Sequence, residues 1–291
     1  MRTADAVVVG GGPAGLSAAL WLGRYRREVL VLDSGEYRNR WVTESHGYLG
    51  ADGIDPAELR ERAHRDLRRY GSITHRCADA SGAERTSDGF MVKTGDGPIT
   101  CRRIILATGV RDRFPEVANF FDFYGKSVFT CPACDGYEAE GKRVLLLGWN
   151  AEIVGFARHL LEWAASVTIV TEGRTLEADD PPDDRITVVE RDATELIGDA
   201  GRLGWVKLDD GRQIPCEMAF FSIEQHAVTE LAEQLGCALT DEGCVRVDAD
   251  GCTTVDGVYA AGDMVGGQQL VQMAAASGAR AGIACARSLS S

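Results

Sequence analysis

Residues 6–15 read AVVVGGGPAG, an apolar run that enters Gly10, Gly12 and Gly15 in GxGxxG spacing. The run predicts a buried strand. Gly10 permits a tight turn at its end, and Gly12 lets a pyrophosphate reach the backbone. Gly15 lets the following helix pack close to the strand. Residues 13–25, opening on Pro13 and Ala14 and rich in Ala and Leu, predict that helix, its N-terminus facing the phosphates. Residues 28–32 predict a second strand that ends in Asp33, about twenty positions after Gly10, where an acid accepts hydrogen bonds from ribose hydroxyls. A GxGxxG alone is weak evidence. Strand, glycines, helix, strand and terminal acid together read as a dinucleotide-binding unit.

Residues 131–136 read CPACDG. Cys131 and Cys134, two residues apart, can close and reopen a small disulfide, and the adjacent Asp135 can move the protons that such exchange needs. Half a zinc site reads the same way, but no second CxxC or HxxxH follows to complete four ligands. Cys77, Cys101, Cys216, Cys237, Cys244, Cys252 and Cys285 are scattered singly. A redox-active pair and no metal site are expected.

Two further segments repeat the pattern of an apolar strand closed by small residues: IILATG at 104–109, ending in Thr108 and Gly109, and GVYAAGD at 257–263, ending in Gly262 and Asp263. A helix rich in small residues follows at 269–286, opening on Gln269 and Leu270. A second βαβ unit is expected from strands at 143–148 and 166–171 around a helix at 151–163.

Composition sets limits. A chain of 291 residues suggests two domains with ample core. The net charge of −13 argues against nucleic acid and anionic membrane surfaces as partners, and no apolar run approaches the ~20 residues of a membrane span. The start Met1-Arg2-Thr3-Ala4-Asp5 leads into a strand, which gives the expectation of no secretory signal. Nine cysteines without a disulfide-framework spacing suit a reducing cytoplasm. The basic stretch RERAHRDLRR at 60–69 mixes its charges on a helix and reads as a solvated face.

The set at 6–15, 104–109 and 257–286 resembles the FAD-binding domain of the pyridine nucleotide-disulfide oxidoreductases. That resemblance implies FAD held by Gly10, Gly12, Pro13, Ala14, Gly15, Asp33, Thr108, Gly109, Gly262, Asp263, Gln269 and Leu270. Asp263 would serve the ribityl and phosphate region. Because CPACDG lies between IILATG and the second βαβ unit, the order is that of the thioredoxin reductase type, and the resemblance covers essentially the whole chain. It implies an α/β fold of two Rossmann-like three-layer nucleotide-binding domains, the second inserted in the first: residues 1–114 and 250–291 for FAD, residues 115–249 for the cysteines and an NAD(P)-binding-like unit. It further implies a homodimer, Cys134 as the flavin's partner, Cys131 as the attacker of substrate and Asp135 as acid/base.

The second unit departs from that family. Its turn reads Gly148-Trp149-Asn150-Ala151-Glu152-Ile153, in which only the first glycine survives. Asn150 and Ile153 put side chains where backbone should meet pyrophosphate and where helix should meet strand. No arginine pair follows for a 2′-phosphate, and residues 177–184 (EADDPPDD) are acidic. Glu172, about as far after Gly148 as Asp33 is after Gly10, reads as a solvated strand-end acid or as an acceptor for the ribose of NADH. The expectation is that NADPH binding is lost or weak.

Residues 37–49 (YRNRWVTESHGYL) resemble dithiol oxidases of the thioredoxin reductase type, as do 107–112 and 134–138. Those oxidases often carry His after the second cysteine, where this chain has Asp135. His46 reads as a proton-handling group near the flavin or as a hydrogen-bonded loop residue. The reading is an FAD-dependent thiol–disulfide oxidoreductase that passes electrons between Cys131/Cys134 and FAD. Its partners would be a thioredoxin-like protein or a small-molecule dithiol or disulfide, with ferredoxin as another electron donor. The alternatives are an ordinary NAD(P)H-dependent thioredoxin reductase, and a flavin-bearing redox sensor without turnover. The acid beside the cysteines argues against a sensor, which needs none.

Overall fold

The computed structural model describes residues 4–150, 152–176, 183–222 and 225–290. Residues 1–3, Ala151 and most of the acidic run (177–182) therefore lie outside the described residues. The chain divides into two units, one of residues 1–40, 56–111 and 225–291, the other of residues 41–55 and 112–224.

In the first unit the strand Ala4–Val9 pairs in parallel with Val29–Asp33 on one side and Gly97–Leu106 on the other. Ile73–Cys77 and Val258–Ala260 extend the parallel sheet, and the hairpin Ala80–Thr86/Gly89–Thr94 adds antiparallel strands to Gly97–Leu106. Side chains alternate across the sheet. Ala6 and Val8 meet the helices Pro13–Arg24 and Val271–Ser288, while Val7 and Val9 enter a second core with Phe90, Leu231 and Leu235. Both faces are covered, which is why the strand reads as a continuous apolar run rather than an alternating one.

The second unit repeats the design. Its parallel strands run Ile186–Val189, Ser166–Val170, Arg143–Leu147, Met218–Phe221 and Val128–Phe129 in that order. A three-stranded antiparallel sheet, Ala193–Asp199, Arg202–Leu208 and Gln213–Pro215, completes the unit. The expected helix at 151–163 is shorter, Ile153–Leu160.

The expected partition changes in three places, the smallest being residues 112–114, which fall in the second unit. Residues 225–249 pack with the first unit rather than with the cysteines: Leu231 and Leu235 enter its core, and Gln234 Oε1 accepts a hydrogen bond from Ala83 N. Residues 41–55 belong to the second unit. Trp41 lies 4.8 Å from Phe121 there, and Gly125 (φ +78°) passes so close to the Trp41 carbonyl that a side chain would collide with it. Chain proximity favours the first unit for this segment, but aromatic packing between distant residues overrides it. Among the described residues no helix is long and apolar enough to cross a membrane.

The helices Pro13–Arg24 and Val271–Ser288 meet through glycine. A Cβ on Gly278 would overlap the Ala14 carbonyl oxygen and lie 2.7 Å from its carbon, and one on Gly282 would sit 2.6 Å from Ala18 O. Gly278→Ala should therefore destabilise the protein by about 1–3 kcal/mol through overpacking. Gly71→Ala, where a Cβ meets nothing within 4 Å, should change stability by less than ~0.5 kcal/mol. Thermal or denaturant unfolding of the two variants checks the contrast.

Candidate active site

The first glycine turn has the geometry its spacing predicts. Gly10 takes φ +113°, and a Cβ there or on Gly15 would strike backbone, of Ala107 and of Gly10 respectively. Gly12 is different: a Cβ would meet nothing within 4 Å, so the backbone is open on that side for a ligand to approach. Pro13 and Ala14 open the helix directly behind it, with Gly12 as N-cap and no side chain bonded to the free N–H groups. Orphan helix N–H groups beside an unobstructed turn fit a pyrophosphate. Gly11 is constrained as well. A Cβ on it would overlap the Asp33 carboxylate, a close approach that the GxGxxG spacing does not specify.

Asp33 is 3 % exposed at the end of its strand. Its Oδ2 accepts from Tyr37 OH at 2.6 Å and pairs with His75 Nε2 at 3.0 Å, and its Oδ1 accepts from Gly35 N at 2.9 Å. Burial alone pushes this carboxyl up, but the bonds from Tyr37, Gly35 and His75, with the His75 charge, outweigh it and hold the acid below its usual range. An ionised carboxylate offers about four acceptor sites, so Oδ1 keeps capacity for a ribose hydroxyl. His75 lies 42 residues away and has no motif, so only the parallel pairing of its strand brings it here.

Beside the same turn, where Thr108 N would lie 3.4 Å from a Gly10 Cβ, Thr108 Oγ1 donates to Val228 O at 2.7 Å, and Gly109 adopts φ +71°. Gly262 (φ +80°) packs with its Cα facing Ala14, and Asp263 opens a single 3-10 turn. Leu270 is the N-cap of Val271–Ser288. Arg38 joins two of the predicted residues: its Nη1 lies 3.3 Å from Asp263 Oδ2 and donates to Gln269 Oε1 at 2.6 Å. No motif in the sequence marks Arg38 for this position.

In the second unit Cys131 and Cys134 form a disulfide with Cα atoms 5.3 Å apart. Cys131 caps the one-turn helix Pro132–Asp135, and its carbonyl accepts from the N–H groups of Cys134 and Asp135 at 3.1 and 3.0 Å. Gly136 is required, because a Cβ there would press on Pro132 O and lie 2.8 Å from the Trp163 ring. Burial, then the Glu138 carboxylate, push Asp135 up to about 7, with His46 opposing them. An acid poised there can give and take protons near neutrality.

The second glycine turn is filled. Gly148 (φ +154°) keeps the tight turn, but Ile153 is 1 % exposed beneath it, with its Cδ1 2.9 Å from where a Gly148 Cβ would be. Asn150 Nδ2 donates to Ser222 Oγ at 3.0 Å, so the turn bonds to its own chain. The Arg174 guanidinium lies 4.5 Å over the Trp149 ring. Burial and the nearby Asp192 raise the Glu172 carboxyl, which disfavours the charged form a ribose acceptor requires.

A sequence profile for the family described as pyridine nucleotide-disulphide oxidoreductase matches residues 4–278. Thioredoxin reductase sirT of Leptosphaeria maculans is 31 % identical over 303 residues, covering 96 % of this chain and 92 % of its own. The crystal structure of an oxidoreductase from Agrobacterium tumefaciens superposes with a TM-score of 0.87 at 33 % identity, covering 99 % of each chain. That of HlmI gives a TM-score of 0.92 at 31 % identity over 99 % of this chain and 93 % of that one. The chain belongs to the pyridine nucleotide-disulphide oxidoreductase family and is a thioredoxin reductase-like, flavin-dependent disulfide oxidoreductase.

Proposed function

We propose that this enzyme passes electrons between the Cys131/Cys134 pair and FAD and makes little use of NADPH, acting as a dithiol oxidase or drawing on a non-nicotinamide donor such as ferredoxin. The observation that carries the reading is the contrast between two glycine turns. The one at Gly10–Gly15 is open at Gly12, and the one at Gly148 is occupied by Ile153 and closed by the Asn150–Ser222 bond. The substrate is a small dithiol or a thioredoxin-like protein. The homodimer that the family resemblance implies and the reducing cytoplasm that the cysteine pattern suits belong to this reading.

FAD would lie along Gly12, Pro13, Ala14, Asp33, Thr108, Gly109, Asp263, Gln269 and Leu270, and when bound it supplies the two-electron acceptor that returns the dithiol to the disulfide. The protein's own residues do the exchange. A substrate thiolate attacks one sulfur of the pair, the Cys131–Cys134 bond opens, and a mixed disulfide forms. The displaced cysteine thiolate takes the proton that Asp135 holds. The second substrate thiol loses its proton to Asp135 and attacks the mixed disulfide, releasing the oxidised product and leaving the dithiol. The acid beside the Cys131/Cys134 pair disfavours a sensor, which needs none.

Heat-released cofactor from the purified protein should be FAD, and a nicotinamide or no cofactor would overturn the first-site assignment. Cys134→Ser should retain FAD yet stop dithiol turnover. Asp135→Asn should slow turnover by roughly 10²–10⁴-fold and remove an ionisation near pH 7 from the rate profile, because the amide neither accepts nor donates the proton.

NADPH should reduce the flavin poorly. Two missing charge-assisted bonds to the 2′-phosphate, at about 1.5–3 kcal/mol each, weaken binding roughly 100-fold or more before the Ile153 obstruction is counted. Any residual nicotinamide use should favour NADH. Anaerobic stopped-flow mixing reads this directly, and rapid, saturable bleaching by micromolar NADPH would restore the ordinary thioredoxin reductase reading.

A further inference from the structure

The second unit places more proton-handling groups beside the disulfide than exchange at Asp135 alone requires. Gly136 has helical angles (φ −69°, ψ −34°), so the turn of Pro132–Asp135 runs on into Tyr137–Ala139. Asp135 and Glu138, three residues apart, therefore share one face. Glu138 Oε2 is enclosed and has no hydrogen-bond partner among the described residues, an arrangement that is unfavourable for a buried polar atom. Its other oxygen, Oε1, lies 3.6 Å from His46 Nε2.

His46 comes from the 41–55 segment, which is tied down by the antiparallel bridge between Ser45 and Ile54 and by Gly47 N donating to Asp52 Oδ1 at 2.7 Å. On its solvent side the imidazole faces Glu44 Oε2 at 3.8 Å and Asp52 Oδ1 at 4.0 Å, both on exposed side chains. The groups thus run from a half-buried acid beside the cysteines, through an enclosed carboxylate, to a partly exposed imidazole among surface acids.

We propose that Asp135, Glu138 and His46 form a proton relay that connects the Cys131/Cys134 pair to solvent, with Glu138 and His46 as positioning residues that act through Asp135. The inference rests on the acid/base role proposed for Asp135. The relay moves only protons. A proton taken by Asp135 from an attacking thiol passes to Glu138 and then to His46, which releases it toward Glu44, Asp52 and water. The reverse path returns a proton to a leaving cysteine thiolate. Neither direction changes the electron count of the exchange.

The two charges act on Asp135 with opposite sign: Glu138 raises its carboxyl and His46 lowers it. Glu138→Gln should therefore move the protonation midpoint of Asp135 acidward by roughly a unit, and His46→Gln should move it alkaline. Two readouts on the purified flavoprotein report it. One is the infrared band of the protonated Asp135 carboxyl, assigned by difference from Asp135→Asn. The other is the pH profile of iodoacetamide alkylation of the reduced pair. At pH 7 each variant should also slow exchange with a small dithiol about 10-fold, and the double variant should be no slower than the worse single one, because the steps are in series.

Opposed midpoint shifts with a non-additive double variant support the relay. Unchanged midpoints, or shifts of the same sign, overturn it while Asp135→Asn still slows exchange. If Asp135→Asn also exchanges normally, the acid/base reading itself falls. Glu138→Gln lies outside the 41–55 segment, so its acidward shift remains decisive even where His46→Gln loosens that segment.

Discussion

The Cα of Gly278 rests against the Ala14 carbonyl, and the first unit depends on that contact. Only a residue without Cβ permits it, and it lets Val271–Ser288 lie against Pro13–Arg24 at backbone distance. The second contact, Gly282 on Ala18, sits one helical turn further on, so both helices are held along the same line. Gly262 adds a third approach to Ala14, from the strand end that carries Asp263. Two helix N-termini, the strand-end acid Asp33 and Asp263, which opens a 3-10 turn, are thereby fixed on one scaffold. Removing water from a cofactor's phosphates demands such rigidity, since ordering flexible donors at the moment of binding would cost entropy for each group.

Asp33 and Asp135 show how one side-chain type is tuned in opposite directions by its surroundings. Both carboxyls lose water, which by itself favours the neutral acid. Asp33 is compensated by a hydroxyl, a backbone N–H and an imidazole, and stays an acceptor. Asp135 has a carboxylate as its neighbour instead, and its proton is held into the neutral range. The first environment suits a hydrogen-bond acceptor, and the second suits a group that gives and takes protons.

The second unit retains the βαβ architecture after its nucleotide turn has changed character. Ile153 packs into the core with Val144, Leu146 and Ala157, so the side chain at this turn stabilises the unit. Burying a side chain of this size contributes about 1.5–3 kcal/mol. A fold can therefore be kept by its hydrophobic periodicity alone, whatever becomes of its ligand turn.

The sequence by itself determined the α/β class, the strand–turn–helix at residues 4–24 and the CxxC disulfide with its adjacent acid, because each rests on interactions within a few residues. Glycine spacing, apolar run length and two neighbouring thiols are local quantities. The departure at Asn150 and Ile153 was legible for the same reason. Tertiary structure alone decided what crosses the chain. His75 joins Asp33 through parallel strand pairing, and Arg38 reaches Asp263 and Gln269 from more than two hundred residues away. Glu138 meets His46 because aromatic packing at Trp41 carries residues 41–55 into the second unit, and residues 225–249 leave that unit because Leu231 and Leu235 complete a core elsewhere. Local propensity carries no information about such partners, since burial energy depends on which distant surfaces happen to be left uncovered.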